Sequence, residues 1–385
     1  MRKPNLVIAT DTWYPRKDGI VRFLNELLPS LVKDFNVIVL APNYDSSHVL
    51  HKKHKFLLVK LPLSWYGVAG HRSIKLNAEN RAAIEEQVKN ADVVWAQGQA
   101  AIGRYALRYS KKHHKPALVY IHQMDWELLP RAMGVPGILR WFISPWLRRM
   151  TIEKTNQFNL TMFPHFGLAE IFEERGFQGR WEIVQLGVNF HHFRPAKDKQ
   201  QAKEAIGYSH KEKIICYLGR ISTEKNLDTL SKAYIKLRDK LTNARLLIIG
   251  GGSERKVAEL QQINGVKVTG FVSDVVPYLQ AADVFVMPSL TETTSLATLE
   301  AMACGLPVIV TKVGFMKEYI KKDYNGMFFP RNNVTNLSLK IMHLLMDKRK
   351  RAELGENARE TVIRDFAWEK TYKKIKRILL KAAGF

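Results

Sequence analysis

Short apolar runs rich in Val, Ile and Leu alternate with amphipathic helical stretches from one end of this chain to the other, and that alternation most restricts its fold. Such runs are too short for helices. They lack a polar alternate face, so they read as strands covered on both sides, which requires parallel pairing with helices on each face of the sheet. Strands are expected at residues 6–9, 37–41, 56–61, 93–97, 118–122, 160–163 and 183–186, then at 214–218, 246–250, 266–269, 284–287, 308–310 and 327–329. The pattern predicts an α/β protein with two Rossmann-like, doubly wound parallel sheets. With 385 residues, 46% of them apolar, the chain is long enough for two separate cores. The segment Phe-His-His-Phe-Arg-Pro-Ala-Lys-Asp-Lys (residues 190–199) is polar and carries a proline, and a linker is expected there. The expected domains are residues 1–195 and 196–365. Amphipathic basic helices are expected at 337–346, 350–366 and 368–383.

The two cysteines, Cys216 and Cys304, lie in apolar or helical contexts far apart in sequence. They read as buried free thiols rather than a disulfide or metal framework, which fits a reducing, cytoplasmic setting. No apolar stretch reaches the roughly 18 residues of a spanning helix, and the first residues lead directly into a strand, so neither a membrane span nor a secretion signal is expected. The net charge of +24 is spread over both halves. It calls for an acidic partner, nucleic acid or an anionic lipid surface, unless it reflects a basic proteome. The basic residues are scattered and form no basic and aromatic recognition module, which argues against nucleic acid.

The run Pro-Ser-Leu-Thr-Glu-Thr-Thr-Ser-Leu-Ala-Thr-Leu-Glu-Ala-Met-Ala-Cys-Gly-Leu-Pro (residues 288–307) places Glu292 in a loop and Glu300 in a helix. Thr294 or Ser295 can cap that helix, and Gly305 with Pro307 stops it. Free amides and the dipole at a helix start favour an anion such as a diphosphate, while a carboxylate further into the helix can accept hydrogen bonds from hydroxyls. Phosphate and sugar hydroxyls beside one helix end point to a nucleotide sugar.

Together with residues 282–289 before it and 300–309 after it, this run resembles the paired-glutamate motif of the retaining glycosyltransferases of family 4. The resemblance implies the GT-B fold, two Rossmann-like domains facing a cleft, with the last helix crossing back onto the first domain. Ligands of such sheets bind at the carboxyl ends of the strands, so the active site is expected in the cleft. The resemblance assigns Arg220 and Lys225, which follow the strand ending at Gly219, to the donor diphosphate. Fixed cations act there where negative charge develops on the leaving phosphate. The sequence has no Asp-x-Asp pair, so no metal and no other cofactor is expected. Glu300 is expected on the ribose hydroxyls, Glu292 on hydroxyls of the donor sugar, and the amides of Thr294, Ser295 and Leu296 on the phosphates. Family members commonly have glycine and an aromatic after the first glutamate; this chain has Thr293-Thr294-Ser295, which lacks glycine's freedom at positive φ. Gly270, Phe271 and Val272 resemble the backbone that holds the base, with UDP expected and GDP open. Residues 250–252, three glycines, form a turn near the same place. In the first domain Gly19 would let the backbone approach the donor phosphate, and the single glycine followed by Ile-Val resembles the glucosyl- and sulfoquinovosyl-diacylglycerol synthases. His122 falls where the family has a histidine near the donor sugar, and it is counted with Arg220, Lys225 and Glu292 among the expected catalytic residues. No residue is identified as a nucleophile.

The segment Pro-Gly-Ile-Leu-Arg-Trp-Phe-Ile-Ser-Pro-Trp-Leu-Arg-Arg (residues 136–149) interleaves bulky apolar side chains with arginines, as in a helix lying in a lipid interface, although Pro145 is expected to break or kink it. A buried wall helix is the alternative. The basic patch at residues 52–55 and a loop at residues 64–68 are expected to join the same surface. These features point to a cytoplasmic, peripheral membrane enzyme that moves a hexose from a nucleotide sugar to a lipid hydroxyl. A soluble or polyprenyl-linked acceptor, a nucleotide-sugar epimerase and a nucleic-acid-binding protein are the other readings.

Overall fold

The computed structural model describes residues 2–16, 18–44, 56–68, 71–132 and 135–385. The chain divides into two units, Met1–Gln185 with Thr371–Phe385, and Leu186–Lys370. The second unit thus begins upstream of the expected linker. Val188 is bonded to the backbone of Phe366 and Trp368, and Phe193 is buried in this unit's core.

In the first unit, in chain order, come β1 (Asn5–Thr10), α1 (Gly19–Asp34), β2 (Asn36–Asn43), β3 (Leu57–Val68), β4 (His71–Ile74), α2 (Ala78–Lys89), β5 (Val93–Gln97), α3 (Ala101–Lys112), β6 (Ala117–Tyr120), α4 (Asp125–Ala132), α5 (Gly137–Thr155), β7 (Leu160–Phe163), α6 (Phe166–Glu174) and β8 (Trp181–Ile183). They build one sheet in the order β4-β3-β2-β1-β5-β6-β7-β8. Pairing is parallel except between β3 and β4. β1 and β5 are buried along almost their whole length, as expected of strands covered by helices on both faces.

The second unit continues with α7 (Lys199–Ala205), β9 (Lys213–Leu218), α8 (Leu227–Arg238), β10 (Ala244–Ile249), α9 (Glu254–Gln261), β11 (Val266–Val268), α10 (Val276–Ala281), β12 (Val284–Met287), α11 (Leu296–Ala303), β13 (Val308–Thr311), α12 (Met316–Tyr319), β14 (Met327–Phe329), α13 (Val334–Met346) and α14 (Lys348–Asp365). Its sheet is wholly parallel, in the order β11-β10-β9-β12-β13-β14. In each sheet the chain runs outward on one side of a central strand, β1 or β9, and then resumes on its other side. That reversal is where such sheets bind ligands. The last helix, α15 (Trp368–Ala383), joins the first unit from Thr371 onward. Tyr372 donates to the Ser30 carbonyl and the Asp34 carboxylate, Lys376 Nζ lies 2.6 Å from Asp34 Oδ1, and Arg377 pairs with Glu182 at 2.9 Å.

Every expected strand but one is present at its expected place; that expected at 183–186 lies instead at Trp181–Ile183 and shares only Ile183 with the expectation. The strand β4 was not expected, and residues 64–68, read as a loop, instead form the end of β3. There β3 pairs with β4 across an irregularity between Leu63 and Gly67, which hides the period-2 signal. Pro145 does not break its helix: α5 continues through it. The proline is exposed, so water can take the carbonyl freed by its missing N–H. The patch at residues 52–55 lies outside the described residues. Cys216 and Cys304 are buried free cysteines, and burial pushes both thiols well above their ordinary range.

One buried ion pair organises the entry into the second sheet. Lys203 on α7 donates to Asp283 Oδ2 (2.7 Å) and to the Glu212 carbonyl (2.6 Å), and the same carboxylate oxygen accepts the Ile214 amide at 2.8 Å. This joins α7 to the starts of β9 and β12. Removing one member leaves the other buried and uncompensated, which costs about 3 kcal/mol or more. Lys203→Met is therefore expected to lower unfolding stability by that amount in urea titrations; an unchanged midpoint would show that the pair does not hold this unit together.

Candidate functional site

The second unit gathers most of the candidate residues at the carboxyl ends of β9 and β12. β9 ends at Leu218, and Gly219 and Arg220 lead into a single 3-10 turn, Thr223–Lys225. Asn226 follows in the left-handed region, φ 54°. Its side-chain amide donates to the Pro288 carbonyl (3.2 Å), while the Leu290 amide donates to the Glu224 carbonyl (2.8 Å). The basic turn is thereby stitched to the loop that carries Glu292. Lys225 Nζ donates to Glu292 Oε1, and Ser289 Oγ donates to that same oxygen at 2.9 Å. Ser289 is itself held by Thr311 Oγ1, which donates to its carbonyl at 2.5 Å.

Arg220 does not join this group. Its side chain is 63% exposed, and its guanidinium lies 3.5 Å from Glu224. The backbone is better fixed, because Tyr217 Oη donates to the Arg220 carbonyl at 2.7 Å. Glu300 is buried in the second turn of α11. Ser295 is the N-cap, accepting the Thr298 amide at 3.3 Å and the Thr298 hydroxyl at 2.8 Å. None of Thr293, Thr294 and Ser295 takes a positive φ, so the loop does without the glycine expected of the family. The close approach is made from outside it. Gly314, at φ 54°, lies so near that a Cβ there would sit 1.9 Å from the Glu292 carbonyl oxygen, and Phe315 N donates to the Thr293 carbonyl at 3.0 Å. Thr294 Oγ1 is buried with no hydrogen-bond partner among the described residues.

The remaining candidates of this unit are contiguous with the basic turn. Gly250, at φ 136°, bridges Gly270, and its Cβ would collide with the Gly219 carbonyl at 2.1 Å; Gly252 bridges Ile221 in the same way. Phe271 is exposed over Gly251, and Val272 packs against the core. The three-glycine turn therefore lets the end of β10 approach residues 219–221 while Gly250 bridges Gly270 beyond β11. Asn226, Tyr217, Ser289 and Gly314 were not anticipated. Only Asn226 and Gly314 left a sequence signal, as residue types that tolerate positive φ.

Gly19 and His122 belong to the first unit. Gly19 opens α1 without a positive φ, and a Cβ there would meet nothing within 4 Å, so packing does not demand a glycine. Asp18 caps that helix, accepting the Ile20 and Val21 amides at 3.0 Å each. His122 packs against Tyr120 and Phe23, and its Nε2 lies 2.9 Å from Gln97 Oε1. Burial lowers its pKa to about 3, so the ring is neutral at physiological pH.

On α5 only Ile152 and Thr155 are buried. Ile138 (77%), Trp141 (73%), Phe142 and Trp146 are exposed, and the Arg149–Glu153 pair is on the surface. The wall-helix reading, which needed these aromatics inside, fails. No helix among the described residues is long and apolar enough to cross a membrane.

Two α/β units, each built on a largely parallel sheet that reverses at a central strand, define the architecture. The model for Glycosyltransferase Family 4 matches residues 17–192, and that for Glycosyl transferases group 1 matches residues 198–361. The chain belongs to the family 4 glycosyltransferases, and its fold is GT-B. It is 25% identical to the GDP-mannose-dependent monoacylated alpha-(1-6)-phosphatidylinositol monomannoside mannosyltransferase of Corynebacterium glutamicum, over 97% of each chain. It is also 25% identical to the alpha-monoglucosyldiacylglycerol synthase of Acholeplasma laidlawii, over 69% of this chain and 70% of that protein. Among solved structures, Anabaena HepE in complex with UDP and glucose has the same fold, with a TM-score of 0.80 and 17% identity over 98% of this chain and 99% of that one.

Gly314 gives the sharpest test of this geometry. Gly314→Ala should displace the Glu292 loop and lower glycosyl transfer on the order of 10-fold or more. Steady-state kinetics at saturating donor would measure this, and a wild-type rate would show that the loop tolerates the shift.

Proposed function

We propose that this protein is a retaining glycosyltransferase that moves a hexose from a nucleotide diphosphate sugar to a hydroxyl of a membrane lipid. The observation that carries the reading is the Lys225–Glu292 contact beside the capped start of α11. It places a positive charge for a departing diphosphate next to a carboxylate that can accept sugar hydroxyls. Arg220, exposed and only loosely paired, can turn toward the same anion. These two cations supply the charge that a divalent metal would otherwise provide, and the reading is of a metal-independent enzyme. Glu300 takes the ribose hydroxyls, and the backbone of Gly270, Phe271 and Val272 takes the base. His122 serves as a neutral hydrogen-bonding partner for a sugar hydroxyl. Retention follows by same-face substitution, in which the departing phosphate accepts the proton of the incoming hydroxyl. UDP is the favoured nucleotide of this reading, while the mannosyltransferase relative keeps GDP-mannose as the second reading.

The acceptor side of the proposal rests on α5. Exposed Trp and Phe beside Arg148 and Arg149, on a chain of net charge +24, suit a helix lying on an anionic membrane.

Label transfer from UDP- and GDP-sugars into extractable lipid, with purified protein and anionic vesicles, tests the reaction. Transfer is expected to persist in EDTA and to fall on the order of 100-fold in Glu300→Gln; an undiminished variant would remove Glu300 from the site. Label left in water would point to a soluble acceptor, and an altered donor to an epimerase.

Co-sedimentation tests the membrane helix. Arg148→Glu with Arg149→Glu is expected to weaken binding to anionic vesicles at least 10-fold, about 1 kcal/mol for each charge removed and a further penalty for the acids introduced. Equal sedimentation of variant and wild type would exclude α5 as the contact.

A further inference from the structure

Helix α11 is about two turns long, too short to hold itself in place, so whatever grips its ends sets where Glu300 stands. Glu300 belongs to the last of those turns, where the Cys304 amide donates to its carbonyl at 3.0 Å. The start of the helix is capped from within, by Ser295. Its far end is gripped from outside, by α14. Gly355 brings α14 so close that a Cβ there would lie 2.2 Å from the Gly305 carbonyl oxygen, just past the end of α11. One turn further along α14, Arg359 Nη1 donates to the Ala303 carbonyl, on the last residue of α11.

The same guanidinium holds a second segment. Arg359 Nη1 also donates to the Phe193 carbonyl at 3.1 Å, and Nη2 lies 3.5 Å from the Phe190 carbonyl oxygen. Among the described residues its hydrogen-bond partners are all backbone carbonyls. Pro195, two residues on, packs on the turn that ends α11: a Cβ on Gly305 would lie 3.1 Å from its Cγ. Val188 is bonded to the backbone of Phe366 and Trp368, just beyond α14. Residues 188–193 are thus fastened along α14 at two places, and at one of them the fastening is shared with the end of α11. A planar guanidinium with five N–H groups can span two segments in this way, and its charge meets the negative end of the helix dipole.

From this arrangement we propose that Arg359 is a positioning residue for nucleotide binding: by tying the last turn of α11 to residues 190–193, it sets where the Glu300 carboxylate stands. The proposal rests on the reading of Glu300 as the group that takes the ribose hydroxyls. A shift of about 1 Å at the end of so short a helix is enough to take a carboxylate out of hydrogen-bond range of a hydroxyl.

Calorimetric titration of the full chain with UDP, and with GDP in parallel, tests the tie. Arg359→Met is expected to weaken binding of the preferred nucleotide on the order of 10-fold. Arg359→Lys keeps the charge at the helix end without the fork, and is expected to recover only part of that loss. Full recovery would reduce Arg359 to a charge on the helix dipole and overturn the proposal. If Arg359→Met does not fold, Arg359→Lys decides alone, by a loss of about 3-fold or by none. Lys203→Met, which loosens the same unit at the starts of its strands, controls for stability. It is expected to bind as wild type does at a temperature where all variants are folded, and an equal loss there would mean that the nucleotide senses only a weakened fold, which overturns the proposal. Added to Glu300→Gln, Arg359→Met is expected to cost little more, because the contact it positions is already gone; a second loss of about 10-fold would overturn the proposal too. In steady state the change is expected in the donor KM, with kcat within about 3-fold of wild type, and a fall in kcat at unchanged KM would count against it. Absence of nucleotide binding in the wild type would remove the glycosyltransferase reading and this inference with it. Wild-type affinity in Arg359→Met would remove this inference alone.

Discussion

A lysine ammonium and a glutamate carboxylate brought together at the ends of two adjacent parallel strands are the contact on which the second unit's site depends. Lys225 and Glu292 are far apart in sequence and lie in two different loops. Loops that merely flanked one another would let the two charges drift into water, where such pairs contribute little. Here Asn226, the Leu290 amide, Thr311 and Gly314 fix both backbones first, so the pair forms between pre-positioned groups.

The two units answer one topological demand in different chemical terms. Each sheet reverses at a central strand, and at the reversal no crossover helix covers the strand ends. The second unit fills that position with charge and a capped helix. The first fills it with neutral amides, a buried carboxyl and a histidine that burial keeps uncharged. The exposed aromatics of α5 add a third kind of surface, apolar and flanked by arginines.

Much of this was legible in the residues. Apolar runs located all but one of the expected strands, because a strand buried on both faces leaves a run that composition alone reveals; β8, short and only half-buried, begins two residues before its expected start. A cap at Thr294 or Ser295, made in the structure by Ser295, and Gly305 as stop were read from local backbone chemistry, which acts within a few residues. β4 was missed because it pairs across an irregular stretch with no alternation. Pro145 misled because its effect depends on exposure, which a sequence does not display. The approach of Gly314 to the Glu292 carbonyl was not legible, because the two lie far apart in sequence.

The sequence by itself determined the two parallel sheets, the helix caps and the identity of the charged groups, because these follow from short-range periodicity and side-chain chemistry. Only the tertiary structure decided that Lys225 meets Glu292 while Arg220 stays exposed, that the α5 aromatics face outward, and that Arg359 joins the end of α11 to residues 190–193. Those outcomes depend on which distant backbone lies alongside, and on how much water it excludes.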